Sequence, residues 1–153
     1  MKFAVRAVII SALVAGCASA PRGLPAYREV TDPTESARPT AELILRHLST
    51  GDIDAVAALS NAPERRAEVL RDYRERVGDA EFRRIFAEYA SKPVVREIAI
   101  GERRLVMWDL DGPLSAQYFV RVAERFVLDD VPNDERSELR RVLNSYRKAT
   151  RSK

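Results

Sequence analysis

The chain has 153 residues, with 26 basic and 23 acidic side chains and a net charge of only +3, a length suited to one domain. So small an excess of positive charge argues against a nucleic-acid partner, and we expect none. There is one cysteine and one histidine. An intrachain disulfide is therefore excluded, as is a zinc site built from several Cys and His ligands.

Residues 1–16 have the layout of an export signal. Lys2 and Arg6 precede an uncharged apolar stretch of about ten residues, and small residues follow. Crossing a bilayer takes ~20 consecutive apolar residues. The sequence therefore predicts a removable signal peptide rather than a permanent span.

Val14-Ala15-Gly16-Cys17 ends this segment and resembles the lipobox of bacterial lipoproteins. The resemblance implies cleavage before Cys17, a lipid on its thiol and acylation of the new amine, with chains of the palmitate type. Two or more acyl chains anchor a protein stably. The resemblance therefore implies that the chain contacts a membrane through its lipidated N-terminus.

Two neighbouring features refine this expectation. The alternative site Ala18-Ser19-Ala20 would release a soluble chain, but Pro21 follows it, and ordinary signal peptidases reject proline there. In well-studied enteric lipoproteins an Asp after the cysteine signals retention in the inner membrane. This chain has Ala18 instead, which implies an outer-membrane anchor facing the periplasm.

The next segment, residues 17–38, is predicted to be a lipidated N-terminus and flexible tether. It carries three prolines and no lasting apolar periodicity. As a random coil it would span about 25 Å. One domain is expected at 39–149, with a short tail at 150–153.

The domain is predicted to open with helices. One begins at Pro39-Thr40 and ends at Gly51, and Asp52 can cap a short second helix. A longer helical stretch runs from Pro63 to Ser91, with a break near Gly78. The expected inward-facing residues are Ala41, Ile44, Leu45, Leu48, Ile53, Val56, Ala57, Phe82, Ile85, Phe86 and Tyr89.

Four short β-branched and aromatic segments follow, at 92–100, 103–110, 114–122 and 125–130. Short connections between them favour hairpins, so we expect a four-stranded antiparallel meander. A final helix after Pro132-Asn133 is predicted to cover the sheet with Leu139, Val142, Leu143 and Tyr146. The fold class is therefore α+β: N-terminal helices, a four-stranded antiparallel meander and a C-terminal helix.

This element order loosely resembles the cone-shaped nuclear-transport-factor-like fold of many small exported bacterial proteins. That fold implies a pocket in the cone. It normally ends on a strand, whereas this sequence ends on a helical pattern.

Candidate catalytic residues are few. His47 sits at the boundary of its helix stripe and is interpreted as a structural histidine. Trp108 and Asp109 alternate between faces of a strand, so Trp108 is expected in the core and Asp109 at the strand end. Tyr118 is interpreted as a cross-strand partner, and Asp129-Asp130 as acids near the last helix's N-terminus.

No phosphate-binding loop, nucleophile elbow or calcium-loop spacing is present in the sequence. We therefore expect no cofactor, no metal and no catalytic residue, and the ligand-binding residues stay open. The leading hypothesis is a non-enzymatic, lipid-anchored periplasmic module that binds an envelope protein or a small ligand. The alternatives are a small-ligand enzyme using a buried Asp or Tyr in a cone-shaped pocket, and a structural envelope lipoprotein.

Overall fold

The computed structural model describes residues 23–112 and 114–151. The predicted signal peptide and Cys17 lie outside this part of the chain. The elements, in chain order, are β1 Arg28–Glu29, a 3₁₀ turn Pro33–Glu35, α1 Arg38–Ser49, α2 Ile53–Ala57, α3 Pro63–Val77, α4 Asp79–Ser91, β2 Val94–Ile100, β3 Arg103–Trp108, β4 Ser115–Val122, β5 Arg125–Leu128 and α5 Asp134–Arg151.

The strands form one antiparallel sheet in the order β1-β2-β3-β4-β5. The α+β class, the antiparallel meander and the C-terminal helix are confirmed, but the expected strand number of four was wrong. The fifth strand is β1, whose Arg28 and Glu29 pair with Ala99 and Ile98 of β2. It was missed because two exposed residues show no periodicity.

β1 lies inside the segment predicted as tether, and its neighbours also pack. The Tyr27 and Tyr146 hydroxyls are 3.1 Å apart, and Arg141 Nη2 donates to the Gly23 carbonyl at 3.1 Å. The described part of that segment therefore lies against β2 and α5.

Helices cover both faces of the sheet. α1–α4 lie on one face, where Phe82, Val106, Trp108 and Phe119 are almost fully buried. α5 lies on the other, and its Leu139, Val142 and Leu143 pack with Ile98, Leu105 and Met107. The sheet thus separates two apolar cores, and the expectation that α5 covers the sheet is confirmed.

Three predicted helix boundaries are confirmed by their local geometry. Gly51 and Gly78 adopt positive φ angles of 78° and 89°, which end α1 and separate α3 from α4. Asp52 accepts a hydrogen bond from the Ala55 backbone N–H at 3.1 Å and caps α2.

Within the described ranges, no helix combines the length and apolar character that a bilayer span requires.

Candidate functional site

A cleft of about 410 Å³ opens where β5 stops pairing with β4. Pairing covers Phe119–Val122 of β4, while Ser115–Tyr118 continue beyond the end of β5. The last link is the Asp129 N–H, which donates to the Tyr118 carbonyl at 2.9 Å. The cleft thus results from the difference in length between two neighbouring strands, and its volume lies within the range usual for small-ligand sites.

The cleft lies at the sheet edge between the two helical layers. Alternation along β4 turns Ser115 and Gln117 toward the α1–α4 layer and Ala116 and Tyr118 toward α5. Residues from strands β3–β5, from helices α3, α4 and α5 and from the segment after β5 line the cleft. They are Arg66, Phe86, Tyr89, Trp108, Ser115, Ala116, Gln117, Tyr118, Leu128, Asp129, Asp130, Arg136 and Arg147.

Two buried carboxylates form part of the wall, and both have strong partners. Asp130 accepts from Arg66 Nε at 2.9 Å and from Ser60 Oγ at 2.6 Å. Asp129 accepts from Arg103 Nε at 3.0 Å and from the side-chain amide of Asn61 at 2.9 Å. These acids therefore join α3, β3 and the segment after β5 rather than pointing unpaired into the cleft.

Asp129 and Asp130 precede α5, as the sequence indicates, but neither of them caps the helix. The Asn133 side chain accepts from the Arg136 N–H at 2.8 Å and so caps α5. Asp129 supports this cap, since its Oδ2 accepts from Asn133 Nδ2 at 3.1 Å.

The positive charge of the cleft comes chiefly from α5. The guanidinium carbon of Arg136 lies 4.9 Å from the centre of the Tyr118 ring, and Arg147 Nε donates to the Leu114 carbonyl at 2.8 Å. Neither arginine forms an ion pair with an acidic residue of the described chain. Their charges are thus available to an anion.

Two residues that line the cleft each carry a buried polar atom without a hydrogen-bond partner in the described chain: Gln117 Oε1, an acceptor, and Arg136 Nε, a donor. Leaving such a group unpaired costs about 1–3 kcal/mol, so buried polar groups nearly always have partners. A group that donates a hydrogen bond would satisfy Gln117 Oε1, and a group that accepts one would satisfy Arg136 Nε. The arrangement suits binding of a small anion that also carries a hydroxyl or N–H group.

The other residues considered from the sequence lie as follows. Trp108 is 1% exposed in the core beside Leu110 and also forms cleft wall, while Asp109 is exposed after β3. Tyr118 pairs with Leu105 across the strands. His47 is partly exposed, 3.8 Å from Asp52, and lies apart from the cleft.

Sequence reasoning missed Arg66, Gln117, Arg136 and Arg147 as cleft residues. Arg66 belongs to a run of mixed charges that is typical of a solvated face.

The described residues contain no group of three or more His, Cys, Asp or Glu side chains that could hold a metal ion. The chain matches no protein-family model, no curated protein and no solved structure.

Proposed function

We propose that this chain is a lipid-anchored, non-enzymatic binding module of the bacterial cell envelope that holds a small anionic ligand in the cleft beside β4. The observation that carries the proposal is the pair of partnerless buried atoms, Gln117 Oε1 and Arg136 Nε, in a cleft that also contains Arg147. An arginine can bind a carboxylate or phosphate through two parallel hydrogen bonds. Anchoring, at the outer membrane and facing the periplasm, is proposed from the lipobox-like Val14-Ala15-Gly16-Cys17 and from Ala18.

The hydrogen-bond and ion-pair partners of the polar side chains in the cleft favour a binding function over the two alternatives. An enzyme relying on a buried Asp would need a carboxylate free to exchange a proton. Asp129 and Asp130 are instead held by Arg103 and Arg66. A purely structural lipoprotein gives no reason for the unsatisfied polar atoms of the cleft.

The anchor is tested by mass spectrometry of the mature N-terminus. We expect a chain that begins at Cys17 and carries acyl groups on both its thiol and its amine, because the preceding residues resemble a lipobox. The Cys17→Ser variant should keep residues 1–16 and lack the acyl groups. Recovery of an unmodified wild-type chain starting at Pro21 or Met1 would refute the proposed anchor.

The ligand site is tested with a charge-removing pair of substitutions, Arg136→Met with Arg147→Met. Trp108 is the only tryptophan of the chain and forms part of the cleft wall, so its fluorescence reports on occupancy. Citrate and inorganic phosphate serve as probes, and wild-type protein purified from membranes is denatured to release any ligand for mass spectrometry. We expect the double variant to bind the better probe at least about tenfold more weakly, because it loses charge-assisted hydrogen bonds.

The matched control is Arg46→Met with Arg125→Met, which removes two exposed arginines outside the cleft. It should bind like the wild type. A wild-type protein that releases no anion and shows no change in Trp108 fluorescence with either probe would contradict the ligand site.

A further inference from the structure

The C-terminal two thirds of α5 carry an exposed strip of positive charge. From Leu139 to Arg151 the helix contains basic side chains but no acidic one. Arg140, Lys148 and Arg151 are exposed, whereas Leu139, Val142 and Leu143 are buried under the sheet. Helical spacing places the exposed three on the side away from the sheet. We call Arg140, Lys148 and Arg151 the basic face of α5.

The predicted anchor enters the domain next to this face. Gly23, the first described residue, accepts a hydrogen bond through its carbonyl from Arg141, which follows Arg140 on α5. Five residues, 18–22, separate Cys17 from Gly23 and span six Cα–Cα steps. Even fully extended they reach only about 20 Å, which is about the length of the helix from Leu139 to Arg151. If Cys17 is acylated, as proposed above, the lipid surface lies within about 20 Å of Gly23, which is next to the Arg140 end of the basic face.

A tether this short lets the surface of the domain touch the lipid, and charge then decides which surface turns toward it. Attraction of Lys and Arg to anionic headgroups strengthens binding by roughly fivefold per side chain near the surface, and it decays within a Debye length of about 8–10 Å. The tether also keeps the domain at an effective concentration of about millimolar or more beside the membrane. Three side chains together then favour one orientation by about 100-fold.

We propose that the basic face of α5 is a second membrane contact, which lies on anionic phospholipid headgroups of the bilayer that holds the anchor. The inference rests on the proposed anchoring, both for the distance to the lipid and for the effective concentration of the domain beside it. The charge and exposure of Arg140, Lys148 and Arg151 are properties of the folded domain itself.

The test measures how close α5 lies to the headgroups in the mature, lipidated protein. The sequence has no cysteine other than Cys17, so Asn144→Cys, exposed on α5, gives a single labelling site once Cys17 is acylated. Val69→Cys on α3, where Val69 is 51% exposed, provides the matched label on the other layer. Each labelled protein is placed in phosphatidylcholine vesicles, with or without a quarter of phosphatidylglycerol, that contain a headgroup-attached quencher.

We expect several-fold stronger quenching at residue 144 than at residue 69 when phosphatidylglycerol is present. The triple variant Arg140→Glu, Lys148→Glu and Arg151→Glu should remove the difference. The control triple Arg46→Glu, Arg65→Glu and Arg125→Glu, with the same change in charge at exposed sites away from α5, should keep it. Equal quenching at both labels, or a difference that survives reversal of the basic face, would overturn the inference.

Failure of the anchor is recognised separately, since mass spectrometry would then show an unmodified Cys17. The exported chain is in that case titrated with the same vesicles and followed by flotation. Binding to phosphatidylglycerol vesicles that weakens about 100-fold in the triple variant would uphold the role of α5. No binding, or binding that both triple variants share equally with the wild type, would refute it.

Discussion

A chain ending at Val131, which lacks α5, is expected to lose its cooperative fold and to aggregate. Leu139, Val142 and Leu143 are at most 3% exposed and pack against Ile98, Leu105 and Met107 of the sheet. Burial of each large apolar side chain contributes about 1.5–3 kcal/mol, and the whole free energy of unfolding of a domain is ~5–15 kcal/mol. Removing α5 therefore takes away stabilisation comparable with the total and exposes an apolar sheet face.

Thermal unfolding followed by circular dichroism, with size-exclusion chromatography, provides the measurement. A chain ending at Thr150 is the control: it keeps the buried residues of α5 and should unfold at the wild-type temperature. If the chain ending at Val131 remained monomeric and melted at an unchanged temperature, α5 would be a docking element rather than part of the domain.

Replacing Glu97 by Ala is expected to cost about 2–4 kcal/mol of unfolding free energy. Glu97 lies on β2, is 3% exposed, and accepts hydrogen bonds from Ser36 Oγ at 2.5 Å and from the Ala37 N–H at 2.7 Å. α1 begins at Arg38 and has no side-chain cap of its own. The carboxylate therefore holds the start of α1, where the helix dipole favours negative charge.

Glu97 also balances a buried cation. Arg104 is 2% exposed, and burial lowers the pKa of its guanidinium, as do Arg28 and Arg121, while Glu97 raises it. Removing Glu97 would leave this charge less compensated.

The check for Glu97 is denaturant unfolding of three variants. Glu97→Ala should strongly lower the denaturant concentration at the unfolding midpoint. Glu97→Gln should lower it less, because the amide keeps one acceptor oxygen. Glu42→Ala, exposed on α1, should change the unfolding free energy by less than about 0.5 kcal/mol. Similar midpoints for Glu97→Ala and Glu42→Ala would refute the role assigned to the buried carboxylate.

The sequence predicted those features that depend on neighbours in the chain. Gly51, Asp52 and Gly78 mark helix ends through their own backbone preferences and short-range hydrogen bonds. Alternation correctly placed Trp108 in the core and Asp109 outside it. These signals act over a few residues, so one sequence is sufficient to show them.

The candidate site could not be predicted in this way, because its parts are distant in the chain. Arg66 reaches Asp130 across 64 positions, and Glu97 reaches Ala37 across 60. The composition also does not show that β5 ends at Leu128, four residues before the position that would pair with Ser115. Arg136 and Arg147 resemble ordinary surface arginines until the sheet register places them beside Gln117.

The unequal lengths of β4 and β5 have a consequence for how this protein can evolve. Three residues of the cleft wall, Gln117, Arg136 and Arg147, belong to neither apolar core. Substitutions there can change ligand preference at little cost in folding, since surface changes usually shift stability by less than about 0.5 kcal/mol. Extending β5 by a few residues would instead pair the free part of β4 and fill the cleft. Binding specificity can thus diverge by point substitution, whereas a small insertion after Leu128 could abolish binding and leave the two cores intact.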